Sequence, residues 1–297
     1  MRTHRKEKKG EIRMCINPTQ LIVEGEAVEV WCRYCWQCQK NRVNDLVGRC
    51  IAEQKTASQT LAVTLTYDDA ELVKDGREAN AAVLVYADFQ RFMKRLRKAG
   101  FNVRYIVAGE YGSKKGRAHW HAVLFFYGKT LKIVEEPAQR GKWDVLLPRW
   151  KHDPWARINW EPWKDGFAYF QEAEYEGFQY LMKYALKDQQ AEVAETTLSM
   201  SKKPPLGAAF FKEEAERHVA AHLAPRSAHY SFRDVRGKDG KPRKFYLRGR
   251  MQEIYLESFV VEWEKRNGKV PNNDFVQKHW ERLDREAEEY QSVRWAV

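Results

Sequence analysis

The chain lacks several things whose absence narrows its function. No apolar run approaches the ~20 residues of a membrane span, so no membrane role is expected. The basic start, MRTHRKEKKG, is followed by no apolar stretch, as expected of a chain without a secretory leader. No repeat or low-complexity segment is visible, and no G-x4-G-K-[ST] loop that would bind a nucleotide triphosphate. Cysteine is absent after residue 50, and the five present are an odd number. That argues for a reducing compartment rather than a disulfide framework. Acidic residues are the minority: 52 Lys and Arg face 41 Asp and Glu over 297 residues, a net charge of +11. The excess makes a polyanion, most simply nucleic acid, the expected partner. With 43% hydrophobic and 31% charged residues, the chain is expected to fold.

Val43, Leu46, Val47, Cys50 and Ile51 recur at helical spacing and predict a buried stripe over about 39–55, with Cys50 as a small core residue. The other four cysteines differ. Cys32-Arg-Tyr-Cys35-Trp-Gln-Cys38 offers three thiols in seven residues, and Cys15 can fold back as a fourth. Four thiolates suit a tetrahedral structural Zn²⁺; metal-free thiols packed near the helix start are the alternative. Leu61–Tyr67 alternates as a strand, with Val63, Leu65 and Tyr67 on one face and Thr64 and Thr66 on the other. Asp88 is expected to cap a helix running to about Ala99, with Phe89, Phe92, Met93 and Leu96 inward and its many cations solvated. Two strands, Val103–Glu110 and Ala118–Phe126, flank a polar loop. Residues 128–166 read as an irregular insertion with one extra strand, and 174–189 as a helix.

His119-Trp120-His121 is the sharpest feature. Strand residues i and i+2 share a face, so both imidazoles point one way and offer neutral nitrogens to a divalent metal. If Glu110 pairs with His119 across the hairpin, its carboxylate joins that face; a one-residue slip would turn it away. In the helix after 174, Phe178, Leu181, Met182 and Ala185 form the buried stripe. Tyr180, Tyr184 and Lys187 lie at i, i+4 and i+7 on the other side, as surface aromatics or as phenolic nucleophiles beside a cation. Residues 226–250 hold nine basic residues, among them Arg226, Arg233, Arg236, Lys241, Arg243, Lys244 and Arg248, against Asp234 and Asp239. Tyr230, Phe232, Phe245 and Tyr246 interleave with them. This reads either as a DNA-binding surface for phosphate contacts and base stacking, or as a basic hairpin turning at Gly237–Gly240.

In order, Cys32–Cys38 with its basic helix, Val63-Thr-Leu-Thr-Tyr-Asp68, Ala108-Gly-Glu-Tyr-Gly112, Arg117-Ala-His-Trp-His121, Tyr180-Leu-Met-Lys-Tyr-Ala-Leu-Lys187 and Ser199-Met-Ser-Lys-Lys-Pro-Pro-Leu-Gly207 resemble the replication initiators of microviruses. The gokushovirus branch is the best match. Pro205 stands where a Pro-Gly pair is expected, away from the chemistry. These initiators are HUH endonucleases, and the resemblance implies an α+β fold with a central antiparallel sheet carrying the His pair and flanked by helices. To this it adds an N-terminal Cys-rich arm (1–56), a nuclease domain (57–195) and a basic, helical C-terminal extension (196–297). It further implies Mg²⁺ or Mn²⁺ on Glu110, His119 and His121, and attack by Tyr180 or Tyr184 assisted by Lys187. Tyr184-x2-Lys187 fits the single-tyrosine pattern of related initiators and marks Tyr184 for the first attack. The partners implied are origin single-stranded or supercoiled DNA and a host helicase and polymerase, in the cytoplasm of a bacterial host. Rivals are an HUH nickase of a plasmid or transposon, and a non-catalytic zinc-stapled single-stranded-DNA-binding protein.

Overall fold

The computed structural model describes residues 15–23, 25–74, 76–77, 84–112, 116–187, 198–225, 227–237 and 239–278. In chain order the elements are the hairpin β1 (Thr19–Val23) and β2 (Glu26–Val30), then α1 (Trp36–Thr56), β3 (Gln59–Tyr67), α2 (Asp69–Lys74) and α3 (Tyr86–Lys98). The hairpin β4 (Asn102–Tyr111) and β5 (Ala118–Tyr127) follows, with the short strands β6 (Ile133–Val134) and β7 (Val145–Leu146). Next come β8 (Arg157–Trp160), β9 (Trp163–Glu172), α4 (Tyr175–Lys187), β10 (Leu198–Met200) and α5 (Ala208–Ala220). A second hairpin, β11 (His229–Arg236) and β12 (Pro242–Tyr246), leads to α6 (Arg250–Asn267). The protein is α+β, and its main sheet has the order β10-β4-β5-β3-β9-β8, antiparallel at every pairing. Among the described residues no helix is long and apolar enough to cross a membrane.

Each face of this sheet buries its own core. On one face Leu61, Val63, Leu65 and Tyr67 of β3 and Trp120, Leu124 and Phe126 of β5 meet Phe89, Phe92, Met93 and Leu96 of α3. On the other, Ile106, Val123 and Phe125 meet α1 through Leu46, Val47, Cys50 and Ile51, and α4 through Phe178, Leu181 and Met182. The same core takes in α5, α6 and the β11–β12 hairpin, so it crosses both segment boundaries drawn from sequence, at 56/57 and 195/196. Glu53 of α1 is buried at its centre. One carboxylate oxygen accepts from the Tyr127 hydroxyl and pairs with Arg104 at 2.8 Å; the other accepts from the Gly207 amide at 2.7 Å. A buried carboxylate is tolerable when paired and hydrogen-bonded in this way.

Three expectations need correction. Trp163–Glu172 is an inner strand of the sheet, not the end of an irregular insertion. Asp165-Gly166 breaks its alternation, yet the glycine is what lets β9 approach β3. Gly166 has φ +153°, and a Cβ there would lie 2.2 Å from the Thr66 carbonyl oxygen. Asp88 does not cap α3, which starts at Tyr86. Its carboxylate is buried, accepting from the Tyr67 hydroxyl at 2.9 Å and pairing with Arg77 at 2.8 Å and with Arg91. Phe232 and Phe245 of the basic hairpin are buried, and Tyr230 packs with them against Gly48 of α1. Those three aromatics are core residues and do not offer faces to bases.

Glu53→Ala leaves Arg104 and Tyr127 without their shared acceptor and should lower stability by about 3 kcal/mol. Urea unfolding of the variant checks this; a loss below about 1 kcal/mol would mean the network does not tie the two layers.

Candidate active site

Strand alternation makes the site. Along β5, Trp120, Ala122, Leu124 and Phe126 go to the α3 side, and His119, His121, Val123 and Phe125 to the α4 side. Glu110 pairs with His119, and Ala108 with His121. The register is the one that puts Glu110 on the imidazole face. The carboxylate reaches diagonally: Oε2 lies 2.8 Å from Nε2 of His121. On the neighbouring strand Thr66 pairs with His119 and Thr64 with His121, and each threonine hydroxyl sits 3.1 Å from the Nδ1 of its own histidine. The rings stand 6.3 Å apart at 58°.

A threonine hydroxyl can donate to Nδ1 or accept from it. Thr66 can therefore hold His119 in the tautomer whose Nδ1 carries the proton, while at His121 an Nε2–H facing Glu110 leaves Nδ1 to accept from Thr64. Sequence reading put these threonines on the non-core face but gave them no role; the signal was their i, i+2 spacing, matched to that of the histidines. Gly112 adds space, since a Cβ there would come within 3.3 Å of Nε2 of His119. Burial pushes the His119 imidazolium pKa down to about 4, with the charges of His121, Arg117 and Arg157 adding to the fall and Glu110 opposing it. His119 is therefore neutral at pH 7, the form a metal requires.

The pairings His121–Thr64, Thr64–Tyr169 and Tyr169–Arg157 carry the same face across three more strands. At its far side the Arg157 guanidinium lies 4.1 Å over the Phe167 ring. Sequence reading missed Arg157, because β8 and β9 were not placed. From the helix side, α4 buries Phe178, Leu181 and Met182 and turns Tyr180 toward the sheet's histidines. The Tyr180 ring meets that of His121 edge-on, at 6.2 Å and 90°, and remains 53% exposed. Tyr184 and Lys187 occupy the last turns of α4; the side chains of residues 183–187 lie outside the described ones.

Among the described residues, the one set of three or more Cys, His, Asp or Glu whose donor atoms all lie within 4.8 Å of each other is Cys15, Cys32, Cys35 and Cys38. The Cys15 sulfur is 3.4 Å from that of Cys32 and 3.8 Å from that of Cys35. The amides of Cys32, Cys35 and Cys38 donate to the sulfurs of Cys15, Cys32 and Cys35 at 3.3, 3.3 and 3.4 Å. Burial raises the Cys35 thiol, but the amides of Cys38 and Ile16 and the neighbouring thiols bring it down to about 6; burial and the Cys15 thiol push Cys38 up to about 12. Four sulfurs this close cannot all ionise without a cation between them, and the cluster could hold a structural metal such as zinc.

Of the basic residues singled out near the C-terminus, Arg226 lies outside the described residues. Arg233, Arg236, Lys241 and Lys244 are exposed on the β11–β12 hairpin. Arg243 lies over the Tyr175 ring, and Arg248 over the Trp31 ring at 5.6 Å, with Asp45 3.9 Å away.

Residues 60–189 match the family model of the replication-associated protein ORF2/gene II protein. The match runs from β3 past the end of α4, so it contains Glu110, both histidines and both tyrosines. The chain is 30% identical over 161 residues to replication-associated protein ORF4 of Chlamydia phage 1, covering 52% of this chain and 37% of the relative. It is 30% identical over 134 residues to replication-associated protein VP4 of Bdellovibrio phage phiMH2K, covering 41% and 40%. It is 28% identical over 200 residues to replication-associated protein ORF2 of Spiroplasma virus 4, covering 63% and 58%. The matches thus span between about two fifths and three fifths of these curated relatives. No solved structure matches the chain. The resemblance to microvirus replication proteins is borne out, and residues 60–189 are the part of the chain that carries the family's sequence pattern.

Protein purified without chelator should carry about one zinc per chain. Cys32→Ser should remove it and Cys50→Ser, in the core away from the cluster, should not; elemental analysis decides. In an NMR titration His119 should protonate near pH 4. Because its pKa is lowered from the ordinary 6.5, the unfolded chain takes up a proton first. The metal-free protein should therefore lose stability as pH falls from about 6.5 towards 4. A His119 midpoint near 6.5 would contradict the half-buried, neutral ring.

Proposed function

We propose that the chain is a phage replication initiator of the HUH endonuclease type. It nicks one strand of circular DNA at an origin, stores the cut bond on a tyrosine and religates the product in rolling-circle replication. The observation that carries this reading is the edge contact of the Tyr180 ring with His121, on a face that also holds His119 and Glu110. Two imidazoles and one carboxylate make a donor set that fits Mg²⁺ or Mn²⁺ with positions left for phosphate oxygens. Such an ion, bound by His119, His121 and Glu110, would act as a Lewis acid on the scissile phosphate. Glu110 would exchange its hydrogen bond to His121 for that ligand role, and the hydroxyls of Thr64 and Thr66 would accept hydrogen bonds from the Nδ1–H groups.

A phenol has a pKa of about 10 and needs a lowered barrier to attack at neutral pH. Tyr180 or Tyr184 would attack phosphorus in line. The bond to the 3′ oxygen breaks, that oxygen gains a proton, and a 5′-phosphotyrosine remains. Lys187 would stabilise the phenolate. We assign the first attack to Tyr180 on its contact with His121, although the sequence pattern favoured Tyr184. The second tyrosine would cut the regenerated origin, and the freed 3′ hydroxyl would attack the first linkage. The phosphodiester energy is conserved, so closure needs no nucleotide. A host polymerase would extend the 3′ end and a host helicase would open the duplex, in the bacterial cytoplasm. Exposed Arg233, Arg236, Lys241 and Lys244 would hold the strand by its phosphates.

Incubation with labelled origin single strand and Mn²⁺ should give a protein–DNA adduct that survives denaturation. Tyr180→Phe with Tyr184→Phe should abolish it. His121→Ala should slow cleavage by about a hundredfold or more while sparing most strand binding. An adduct that persists in the double tyrosine variant would sink the assignment.

A further inference from the structure

The cysteine knuckle carries a feature that holding a metal does not explain. Between its thiols stand Tyr34, 80% exposed, and Trp36, 52% exposed. Most large aromatics among the described residues are buried or half-buried, so two exposed ones side by side on one turn stand out. Arg33 adopts a left-handed φ of 66°, a conformation that disfavours side chains and is held here by the Cys32 and Cys35 anchors on either side. The turn brings the sulfurs together and leaves Tyr34 outward. Residues 30–44 contain Arg33, Lys40 and Arg42, all exposed, and no Asp or Glu. Trp31, just before the knuckle, stacks under Arg248, just after β12, so the segments leading into the knuckle and out of the basic hairpin meet there. It lies outside residues 60–189 matched by the family model.

We infer that the knuckle is a second single-stranded nucleic-acid site, in which Tyr34 and Trp36 stack on successive bases and Arg33, with the neighbouring basic hairpin, takes the phosphates. The inference deepens the proposed function by naming where a strand is held apart from the nicking face. Exposed aromatics on a rigid, cationic turn suit a strand with unpaired bases, since each base offers a π face whatever its identity. A duplex hides those faces. The buried Phe232 and Phe245 cannot serve this purpose, so the hairpin supplies charge and the knuckle supplies stacking. The metal's part is to pre-order the turn, which lowers the entropy lost on binding.

The test uses the full, zinc-loaded chain and fluorescein-labelled oligo(dT), followed by anisotropy without added Mg²⁺ or Mn²⁺. Tyr34→Ala and Trp36→Ala should each weaken binding about fivefold or more, leaving the salt slope unchanged because no phosphate contact is lost. Arg33→Ala should instead reduce that slope by about one. Tyr34→Phe and Trp36→Phe should restore most of the affinity. A Tyr34→Ala/Trp36→Ala protein that keeps its zinc and binds within about twofold of wild type overturns the inference. So does a loss that the Phe variants do not recover, or an equal loss for duplex DNA. Adduct formation separates the two readings. An adduct-forming wild type with unaffected knuckle variants leaves nicking and removes the knuckle site. Weakened oligo(dT) binding without any adduct leaves the knuckle site and removes nicking.

Discussion

The fit of Trp120 into the notch at Gly109 fixes the register on which the histidine face depends. The two residues pair across β4 and β5. A Cβ at Gly109 would lie 2.6 Å from Leu84 and 3.1 Å from the Trp120 ring, so no larger residue fits there without movement. Trp120 is itself pinned: its indole N–H donates to the Tyr67 hydroxyl at 3.0 Å, and that hydroxyl donates to Asp88, which Arg77 and Arg91 neutralise. A slip of one residue would either turn Glu110 in among the aromatics, leaving a charge unpaired, or turn Trp120 away from them, losing several kcal/mol of apolar burial. The packing on the α3 side therefore sets which groups meet on the opposite face.

The helix side answers with the same economy. The α1–α4 layer seals Val123 and Phe125, and the apolar cover ends as β5 reaches His121 and His119. Tyr180 lies off the core stripe and is about half exposed. Phe178, Leu181 and Met182 fix the rotation of α4 about its axis, and that rotation brings Tyr180 to the edge of His121. Glu53 ties this layer to β4 and β5 through Arg104 and Tyr127, so a strand and the helix stacked on it move together.

Much of this was legible in local pattern. The shared face of His119 and His121 follows from strand period alone. Glu110 joined them only on the condition that it pairs with His119, and the observed register meets that condition. The stripes of α1, α3 and α4 were visible as helical spacing. What local pattern could not supply was long-range pairing. Thr64 and Thr66 became histidine partners only when β3 lay beside β5. Strand β9 was obscured because Asp165-Gly166 breaks its alternation, and the reason for the glycine is a carbonyl about a hundred residues away in sequence. Residues 226–250 allowed two readings, and the structure has the hairpin one, because alternating aromatic and basic residues define two faces but not which face meets a core. Here α1 and α5 supplied that core, and the aromatics went inward.

The two donor sets differ in a way that bears on how one chain could hold a structural ion and, on the proposed function, use another. Thiolates are soft and select zinc-like ions; imidazole with carboxylate suits a harder, exchangeable one. At Cys15, Cys32, Cys35 and Cys38 the sulfurs are within reach of each other, and backbone amides brace three of them. Such a cage needs little rearrangement to close on its ion. At Glu110, His119 and His121 the carboxylate is engaged with one imidazole, and each Nδ1 with a threonine. Closing that set on an ion would mean exchanging hydrogen bonds of comparable strength, so its affinity would be lower and its exchange easier. On the proposed function, a permanent staple and an exchangeable acid would follow from donor chemistry and from how much of each shell the fold has already completed.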